Sequence, residues 1–600
     1  MIASGSENFI TTDKYNTLKI WNMKGKLLKT FKEFYQPVKT IKFSPDGSLI
    51  ATGTGSFEGE AGAMRVGGVI DIWDIKGNKQ YSFPNHTAKI YSIDYSRDGK
   101  FIASCSKDAT LKLWNFKNNN FISVVADNTD WIIYTPDGYF DASYNGGKLI
   151  NIRSGNEIFG IDQFAIKYNR PDIILKRLGL GSDDQIKYFY HQYTKRLRRM
   201  GFLENQLSSD IHVPKTEILN IDKEDKFFKL EILLSDSKVK ILSYNIYIND
   251  VPMYGAFGKS ISQLNNLNQS VGISKISIND TKELCYGKNK IEVSCINENG
   301  AESHRAIKYI SYDNIIDSDL YFLAFGVSDY KNDRIKDLEY AHQDAKDLEQ
   351  MFLKMKRKPY KNIFTKIFLN REVTLKAITD GKAFLKDSKV DDIFIFFISG
   401  HGIHDIDSEK TYYYITYDTD PQNLSGTAAN FNLIENLLYD IPPRKKLFLM
   451  DTCESGEIDN DIADKYTMAA NRGMLPRTMK GLKVDAENNN KNILSEYIYK
   501  TDRYIYNDLM RRSGAIVFSS SQGGEASWED AKFQNGLFTE GIINGIENGL
   551  ADINKDGLVS TDELRDYVRQ SVSQMSKGIQ HPTVDRDNIY IKFNIPVISN

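Results

Sequence analysis

Four short, almost purely apolar runs dominate the second half of this 600-residue chain: Leu320-Tyr-Phe-Leu-Ala-Phe325, Ile393-Phe-Ile-Phe-Phe-Ile398, Leu447-Phe-Leu-Met450 and Ala515-Ile-Val-Phe518. A run without polar alternation reads as a strand buried on both faces. Amphipathic stretches at 337–353, 373–386, 429–439 and 537–549 separate the runs, and 361–369 suits a further strand. Strands covered on both sides by helices predict an α/β domain with a largely parallel sheet over 316–600. In such sheets, sites form beyond the carboxyl ends of the strands.

The first 140 residues follow another rule. Phe43-Ser-Pro-Asp-Gly47, Tyr95-Ser-Arg-Asp-Gly99 and Tyr134-Thr-Pro-Asp-Gly138 are turns followed by short β-type runs. Leu18-Lys-Ile-Trp21, Ile70-Asp-Ile-Trp73 and Leu111-Lys-Leu-Trp114 repeat as well, with Trp residues 52 and 41 apart (73 − 21 and 114 − 73). A period near 40 predicts β-propeller blades, and a Gly-rich insertion at 55–68 accounts for the longer interval. The stretch resembles the WD-repeat family. The resemblance implies that His86, Ser104, Asp108 and Trp114 form a hydrogen-bonded tetrad, so His86 staples a blade and is not a ligand. Only three repeats and part of a fourth can be counted, whereas propellers close with about four to eight blades. The expected unit, 1–165, therefore looks incomplete and opens inside a repeat: a fragment, a displaced start, or blades completed by another chain.

Residues 166–210 read as a helical linker carrying the basic cluster Lys195-Arg-Leu-Arg-Arg199, a solvated face or a docking patch. From 211 to 315 the pattern alternates, as in Phe227-Phe-Lys-Leu-Glu-Ile-Leu-Leu and Ser243-Tyr-Asn-Ile-Tyr-Ile, and predicts an immunoglobulin-like β-sandwich. The chain carries 77 Lys+Arg and 79 Asp+Glu. This balance argues against a nucleic-acid partner. No run approaches 18 apolar residues, so no membrane partner is expected, and the start shows no secretory pattern. Four cysteines exclude a disulfide scaffold, and none is spaced for a thiolate zinc site. A reducing, cytoplasmic setting is the default. Cys105, Cys285 and Cys295 are expected to be core residues.

Cys453 differs. The run ending at Ile398 leads into Ser399-Gly-His401-Gly402, and the run ending at Met450 leads into Asp451-Thr-Cys453-Glu-Ser-Gly456. If the two strands are parallel neighbours, His401 and Cys453 emerge at one sheet edge. That pair suits a nucleophilic thiolate and a proton-managing imidazole, with peptide N–H groups of the two turns as oxyanion donors. A phosphatase would need an Arg after the Cys to hold phosphate, but Glu454-Ser-Gly-Glu-Ile-Asp459 comes next. His404 lies close by, but the Gly-His-Gly turn favours His401. His581 precedes the final strand and reads as structural.

These two turns resemble those of the caspase-like cysteine peptidases, closer to metacaspases and bacterial caspase homologues than to animal caspases. Leu338-Glu-Tyr-Ala-His-Gln-Asp344, Ser519-Ser-Ser521 and Asn535-Gly-Leu-Phe-Thr539 agree with it. The resemblance covers 316–600 and, through the order of modules, extends more weakly to the whole chain. It implies His401 as general base and acid, Cys453 as nucleophile, and the N–H groups of Gly402 and Cys453 as the oxyanion hole. Animal caspases hold aspartate substrates with Arg. Here the positions matching the metacaspase primary pocket, Asp344 and Asp451, are acidic, which implies cleavage after Arg or Lys. Asp344 also abuts the apolar stripe Leu338, Ala341, Ala345, Leu348 and Phe352, where a carboxylate needs a partner. Either aspartate could instead cap a loop or pair internally. The polar stretch 457–512 contains Arg472, Arg477, Lys480 and Lys483 and is a candidate for self-cleavage.

Asp552-Ile-Asn554-Lys-Asp556-Gly-Leu558-Val-Ser560-Thr-Asp-Glu563 matches the EF-hand calcium loop at every specified position. Asp552, Asn554, Asp556, the Leu558 carbonyl, Ser560 and Glu563 are the expected Ca2+ ligands, with no second loop to pair with. The expectation is a calcium-responsive cysteine endopeptidase acting on protein substrates, with N-terminal modules that bind a protein partner or sensor. A catalytically silent scaffold and an acyl-transferring enzyme are the alternatives.

Overall fold

The computed structural model describes the chain except residues 6–15, 35, 56–66, 116–119, 128–129, 144–145, 155, 208–211, 256, 264–273, 315–316, 356–358, 405–410, 453–473, 478–512, 522–525, 585–592 and 599–600. Two compact units part between Tyr190 and His191.

In the first unit, three antiparallel sheets match the repeats. Ile2–Gly5, Asn16–Trp21 and Leu27–Phe34 form one, and the four strands from Val38–Phe43 to Lys79–Phe83 form the next. Leu18, Ile20, Phe31, Val38 and Trp73 pack between these two sheets, and Ile70, Phe83, Ile90, Ile102 and Trp114 between the second and third. Each blade tryptophan donates its indole N–H to a hydroxyl on a neighbouring strand: Trp21 to Ser4 (3.0 Å), Trp73 to Thr52 (3.1 Å) and Trp114 to Ser104 (2.8 Å). Burying an indole without that acceptor would cost a hydrogen bond. Among the described residues, only the third blade completes the tetrad, with His86 between Asp108 and Ser104 at 2.8 Å each. Burial lowers the pKa of His86 against the pull of Asp108.

Two expectations change here. The Thr135–Gly138 turn does not open a fourth blade, because Trp131–Tyr134 and Phe140–Ala142 extend the third sheet to six strands. Cys105 is half-buried rather than core, since strand alternation turns Ile102, Ser104 and Ser106 to the buried side instead. The linker forms two helices, Pro171–Leu178 and Asp183–Arg199. Within its basic cluster Arg196 is buried, not solvated.

In the second unit, Lys215–Glu224, Phe227–Asp236 and Ser274–Glu283 form one antiparallel sheet, and Ile241–Ile248, Gly287–Asn297 and Ala306–Tyr312 belong to another. Alternating residues of both, including Leu230, Ile232, Ile246, Ile278, Ile291 and Val293, share one core. Cys285 and Cys295 are buried, and burial pushes the Cys295 thiol up to about 12. Arg444 donates to Cys285 Sγ (3.1 Å), and Tyr286 N–H to Asp391 (2.9 Å), which ties these sheets to the parallel sheet of the same unit.

That main sheet runs Ile363–Leu369, Leu320–Gly326, Ile393–Gly400, Lys445–Thr452, Ala515–Ser519 and Thr583–Val584, all parallel except the last. Its residues alternate between two cores. Leu320, Phe322 and Ala324 meet Ala345, Leu348 and Phe352, while Leu323 and Phe325 meet Ile378, Ile434 and Leu437. The helix expected at 337–353 begins only at Ala341. Leu338 lies in the preceding turn, its N–H held by the Ser328 carbonyl.

Replacing His86 by Ala removes the ring that links Asp108 to Ser104: Asp108 keeps its bonds from Thr87 and Thr110, and the Ser104 hydroxyl keeps only Trp114 among the described residues. The expected loss is about 1–3 kcal/mol. Four of the five tryptophans lie in the first unit, so urea titration followed by tryptophan fluorescence should report a lower midpoint for His86→Ala. An unchanged midpoint would refute the tetrad's stabilising role.

Candidate active site

Sheet register places the candidate turns. Ser399 pairs with Asp451 and Gly400 with Thr452, so the next residues along the two adjacent strands are His401 and Cys453. Cys453 lies outside the described residues, as do Arg472, Lys480 and Lys483 of the stretch expected to be cut. Gly400 has φ +149°, and a Cβ there would meet Tyr330 Oη at 3.1 Å and Tyr414 Cε2 at 3.2 Å. The strand can turn His401 inward at this point only because residue 400 has no side chain.

His401 is fully buried. Its N–H donates to Tyr330 Oη (3.0 Å), and the two rings stack with centroids 5.2 Å apart. Nε2 faces the Lys336 carbonyl at 2.7 Å, and Nδ1 faces the Arg477 carbonyl at 2.9 Å. A neutral imidazole has one N–H and satisfies one of these acceptors, whereas an imidazolium satisfies both. Burial lowers the pKa of His401, and the two carbonyls oppose the shift. Such a ring can take up a proton while its outer nitrogen holds it in place. Gly402, the next residue, is buried and opens the short strand Gly402–His404, which pairs with Tyr412–Tyr414.

Asp344 and Asp451 come together, as the sequence suggested, and both are fully buried. Between them lies the guanidinium of Arg477. Its Nη2 pairs with Asp344, its Nη1 lies 3.0 Å from Asp451 Oδ2 and its Nε 3.2 Å from Glu529 Oε1. Nη1 also donates to Ser399 Oγ (2.7 Å). Arg477, from the polar stretch that is a candidate for self-cleavage, has a fully buried side chain. A guanidinium leaves water only where acceptors meet its donors, and here Nε donates to Glu529, Nη1 to Ser399 Oγ and the Asp451 backbone carbonyl, and Nη2 to Asp344.

The carboxylates are in turn held by the fold. Ser399 Oγ (2.8 Å) and Gly536 N–H (2.8 Å) donate to Asp344. Ser527 Oγ (2.6 Å) and Thr539 Oγ1 (3.2 Å) donate to Asp451, and the N–H groups of Glu339 and Tyr340 donate to Glu529. Burial raises the pKa of Asp344 and Arg477 pulls it back; burial disfavours the Arg477 charge, but the three carboxylates keep it firmly protonated. Sequence reasoning missed Glu529. Its neighbour Trp528 and the Asn535-Gly-Leu-Phe-Thr539 segment offered a signal, because Gly536 walls the pocket. A Cβ at Gly536 would sit 2.6 Å from both Arg477 Nη2 and Asp451 Oδ2.

The acidic loop lies elsewhere in this unit. Asp552 accepts from the N–H groups of Asp556 (3.1 Å) and Gly557 (2.9 Å), and Asn554 accepts from Asp556 N–H (2.9 Å). Glu563 reaches back to the Ser560 N–H (2.9 Å) as a helix capping box. Leu558–Ser560 pairs with Asn594–Pro596, the position a second loop would take. Among the described residues, no three His, Cys, Asp or Glu side chains are gathered to hold a metal ion. No described helix is long and apolar enough to cross a membrane.

Comparison with known proteins matches two parts of the chain. Residues 25–60 and 77–115 match the WD domain, G-beta repeat family. Among similar proteins are the U3 small nucleolar RNA-associated protein 12 of Saccharomyces cerevisiae (32% identical over 118 residues) and Pre-mRNA-processing factor 19 of Oryza sativa subsp. japonica (23% over 185 residues). WD repeat and SOCS box-containing protein 1 of Xenopus tropicalis is 29% identical over 116 residues. These matches cover 20%, 30% and 18% of this chain and 11%, 32% and 25% of the respective relatives, so the chain spans a third or less of their length. Residues 321–593 match the caspase domain. The chain thus carries a caspase domain, a domain of cysteine-type peptidases, with WD repeats ahead of it.

Proposed function

We propose that this chain is a cysteine endopeptidase that cleaves proteins after Arg or Lys. The observation that carries the reading is a buried basic side chain held by Asp344 and Asp451, with its own carbonyl 2.9 Å from His401 Nδ1. A substrate residue bound in that pocket would bring its scissile carbonyl to His401. Cys453, one step beyond the strand end beside it, attacks as thiolate. His401 takes the thiol proton and delivers it to the leaving amine. The Gly402 and Cys453 N–H groups receive the oxyanion. The Nε2 contact with the Lys336 carbonyl supports this role, because it fixes which ring nitrogen faces the substrate. Glu529 joins Asp344 and Asp451 as a third carboxylate of the pocket.

The finer assignments belong to the same proposal. Residues 1–165 act as a recognition module, 166–210 as a linker, 211–315 as an immunoglobulin-like sandwich and 316–600 as the peptidase. A reducing, cytoplasmic setting suits a working thiol. Self-processing within 457–512 is part of the reading. A silent scaffold is the second reading, favoured by the similarity to WD-repeat proteins. Turnover of Arg- and Lys-ended peptides separates the two.

Calcium binding is a further part of the proposal. The Asp552–Gly557 turn supports it, since Asp552 already bonds the Gly557 N–H as the loop requires. Asp552, Asn554, Asp556, the Leu558 carbonyl and Ser560 would hold the ion, and Glu563 would leave its cap to complete the set. The ion would supply conformational control rather than peptide-bond chemistry.

Cys453→Ala and His401→Ala should each lower kcat/KM on Arg-ended peptides by about 10²-fold or more. Unchanged turnover in either variant would sink the dyad. Asp451→Asn should cost about 2–5 kcal/mol of transition-state stabilisation on basic peptides; an equal effect on peptides ending in a neutral residue would show damage to the fold instead. A lowered pKa keeps His401 neutral, and so a base, to lower pH. The acid limb of kcat/KM should therefore fall below the ordinary imidazole value of about 6.5. Calorimetry should show calcium uptake that Glu563→Gln weakens; no heat with the wild type would remove the calcium site.

A further inference from the structure

The strand Leu320–Gly326 runs on into Val327-Ser-Asp-Tyr330, and the Tyr330 side chain lies against the turn that carries His401. Tyr330 is 6% exposed, and its own N–H is fixed by Asp337 Oδ1 at 2.9 Å. Its hydroxyl uses both of its functions. It donates to the Val327 carbonyl (3.2 Å) and accepts the His401 main-chain N–H (3.0 Å). Register pairing between the two central strands ends at Gly400 and Thr452, so the ladder no longer supplies an acceptor for that N–H. A buried N–H left without one is costly. The phenol meets the need of this turn.

The ring adds what the hydroxyl does not. It stacks on the imidazole with its plane 29° from parallel, and so covers one face of the group whose edges meet the Lys336 and Arg477 carbonyls. Burial is the largest influence on His401 and works against its protonation; of the charged side chains, Glu529 favours protonation and Arg477 opposes it. Burial, with Glu529 and Asp337 acting in the same sense, holds the Tyr330 phenol well above its ordinary pKa. The phenol therefore keeps its proton and takes no acid–base part itself. Tyr414, which also crowds Gly400, bonds the Ser399 carbonyl (2.9 Å) and completes the hold on the turn.

We propose that Tyr330 is the positioning residue of His401: its hydroxyl sets the turn that presents the imidazole, and its ring keeps water from one face of it. The inference rests on the cysteine-peptidase reading for its effect on turnover, and adds a residue to that site. A base works from a near-fixed position, and a displacement of about 1 Å can cost about 10²-fold in rate. Tyr330 acts through His401, not on the substrate.

The test compares the full-length wild type with Tyr330→Phe, Tyr330→Leu and Tyr360→Phe. It reads turnover of an acyl-arginine aminocoumarin peptide and the NMR titration of the histidine Cε1–H signals, with His401→Ala assigning that of His401. Tyr330→Phe keeps the ring and drops both hydrogen bonds. Its kcat should fall about tenfold or more with KM within about twofold, and the His401 midpoint should stay near that of the wild type. Tyr330→Leu uncovers the imidazole, whose midpoint should rise toward the ordinary value of about 6.5. Tyr360→Phe is the control: it removes a buried phenol hydroxyl of the same domain that has no hydrogen-bond partner among the described residues, and it should match the wild-type rate. A wild-type kcat in Tyr330→Phe overturns the role of the hydroxyl, and an unmoved midpoint in Tyr330→Leu overturns the role of the ring. An equal loss of rate in Tyr360→Phe overturns positioning, because it assigns the loss to the core at large. Should Tyr330→Leu not fold, the kcat of Tyr330→Phe decides. A wild type that never hydrolyses the peptide sinks the peptidase reading instead, and the Tyr330→Leu midpoint then decides the proposal by itself.

Discussion

A guanidinium sealed from water among three carboxylates sets the terms for the rest of the caspase domain. Asp344 comes from the first turn of a helix, Asp451 from the end of a central strand, Glu529 from a hairpin, and Arg477 from a segment added to that hairpin's edge. Each carboxylate arrives with its own donors: a serine, a threonine or a backbone N–H. A buried charge missing such partners would change its protonation or drag water inward. The cluster therefore exists only when the sheet, the helices that carry Asp344 and Thr539, and the hairpin are all in place. The carboxyl-end geometry of the sheet serves the same arrangement, since Ser399 and Asp451 are register partners and both touch the cation.

Much of this was legible in the sequence, and for a physical reason. Strands buried on both faces must be apolar throughout, so Leu320–Gly326 and Ile393–Gly400 announce themselves without an alignment. Once two such strands are parallel neighbours, their ends coincide, which is why His401 could be set beside the Asp451 turn from spacing alone. Asp344 was legible as a carboxylate in need of a partner. The partner was not. Arg477 sits in a polar stretch, and local polarity suggests a solvated loop; a buried ion betrays itself only through residues distant in sequence. Glu529 was hidden for the same reason. The early helix start at 337 failed because apolar spacing continues through a turn that the Ser328 carbonyl holds in non-helical form.

The N-terminal repeats show the converse. Their turns and tryptophans fix the pitch of the blades, and each indole finds a hydroxyl, so the repeat was readable from residue types alone. Where a strand goes after its turn was not readable. Trp131–Tyr134 carries repeat-like punctuation yet continues the preceding sheet. Punctuation marks a chain reversal but does not say which edge the next strand will choose. The WD matches give this unit an interaction role in general terms, and the alternative of a pure scaffold draws its strength from there.

Gly536 carries the last consequence. The space that admits the Arg477 head is an omission: a side-chain carbon at residue 536 would lie 2.6 Å from Arg477 Nη2 and from Asp451 Oδ2. All the charged groups could be kept and the cavity still abolished by a single methyl. A comparison of related domains by their charged residues alone would therefore miss the one position that decides whether this cavity exists.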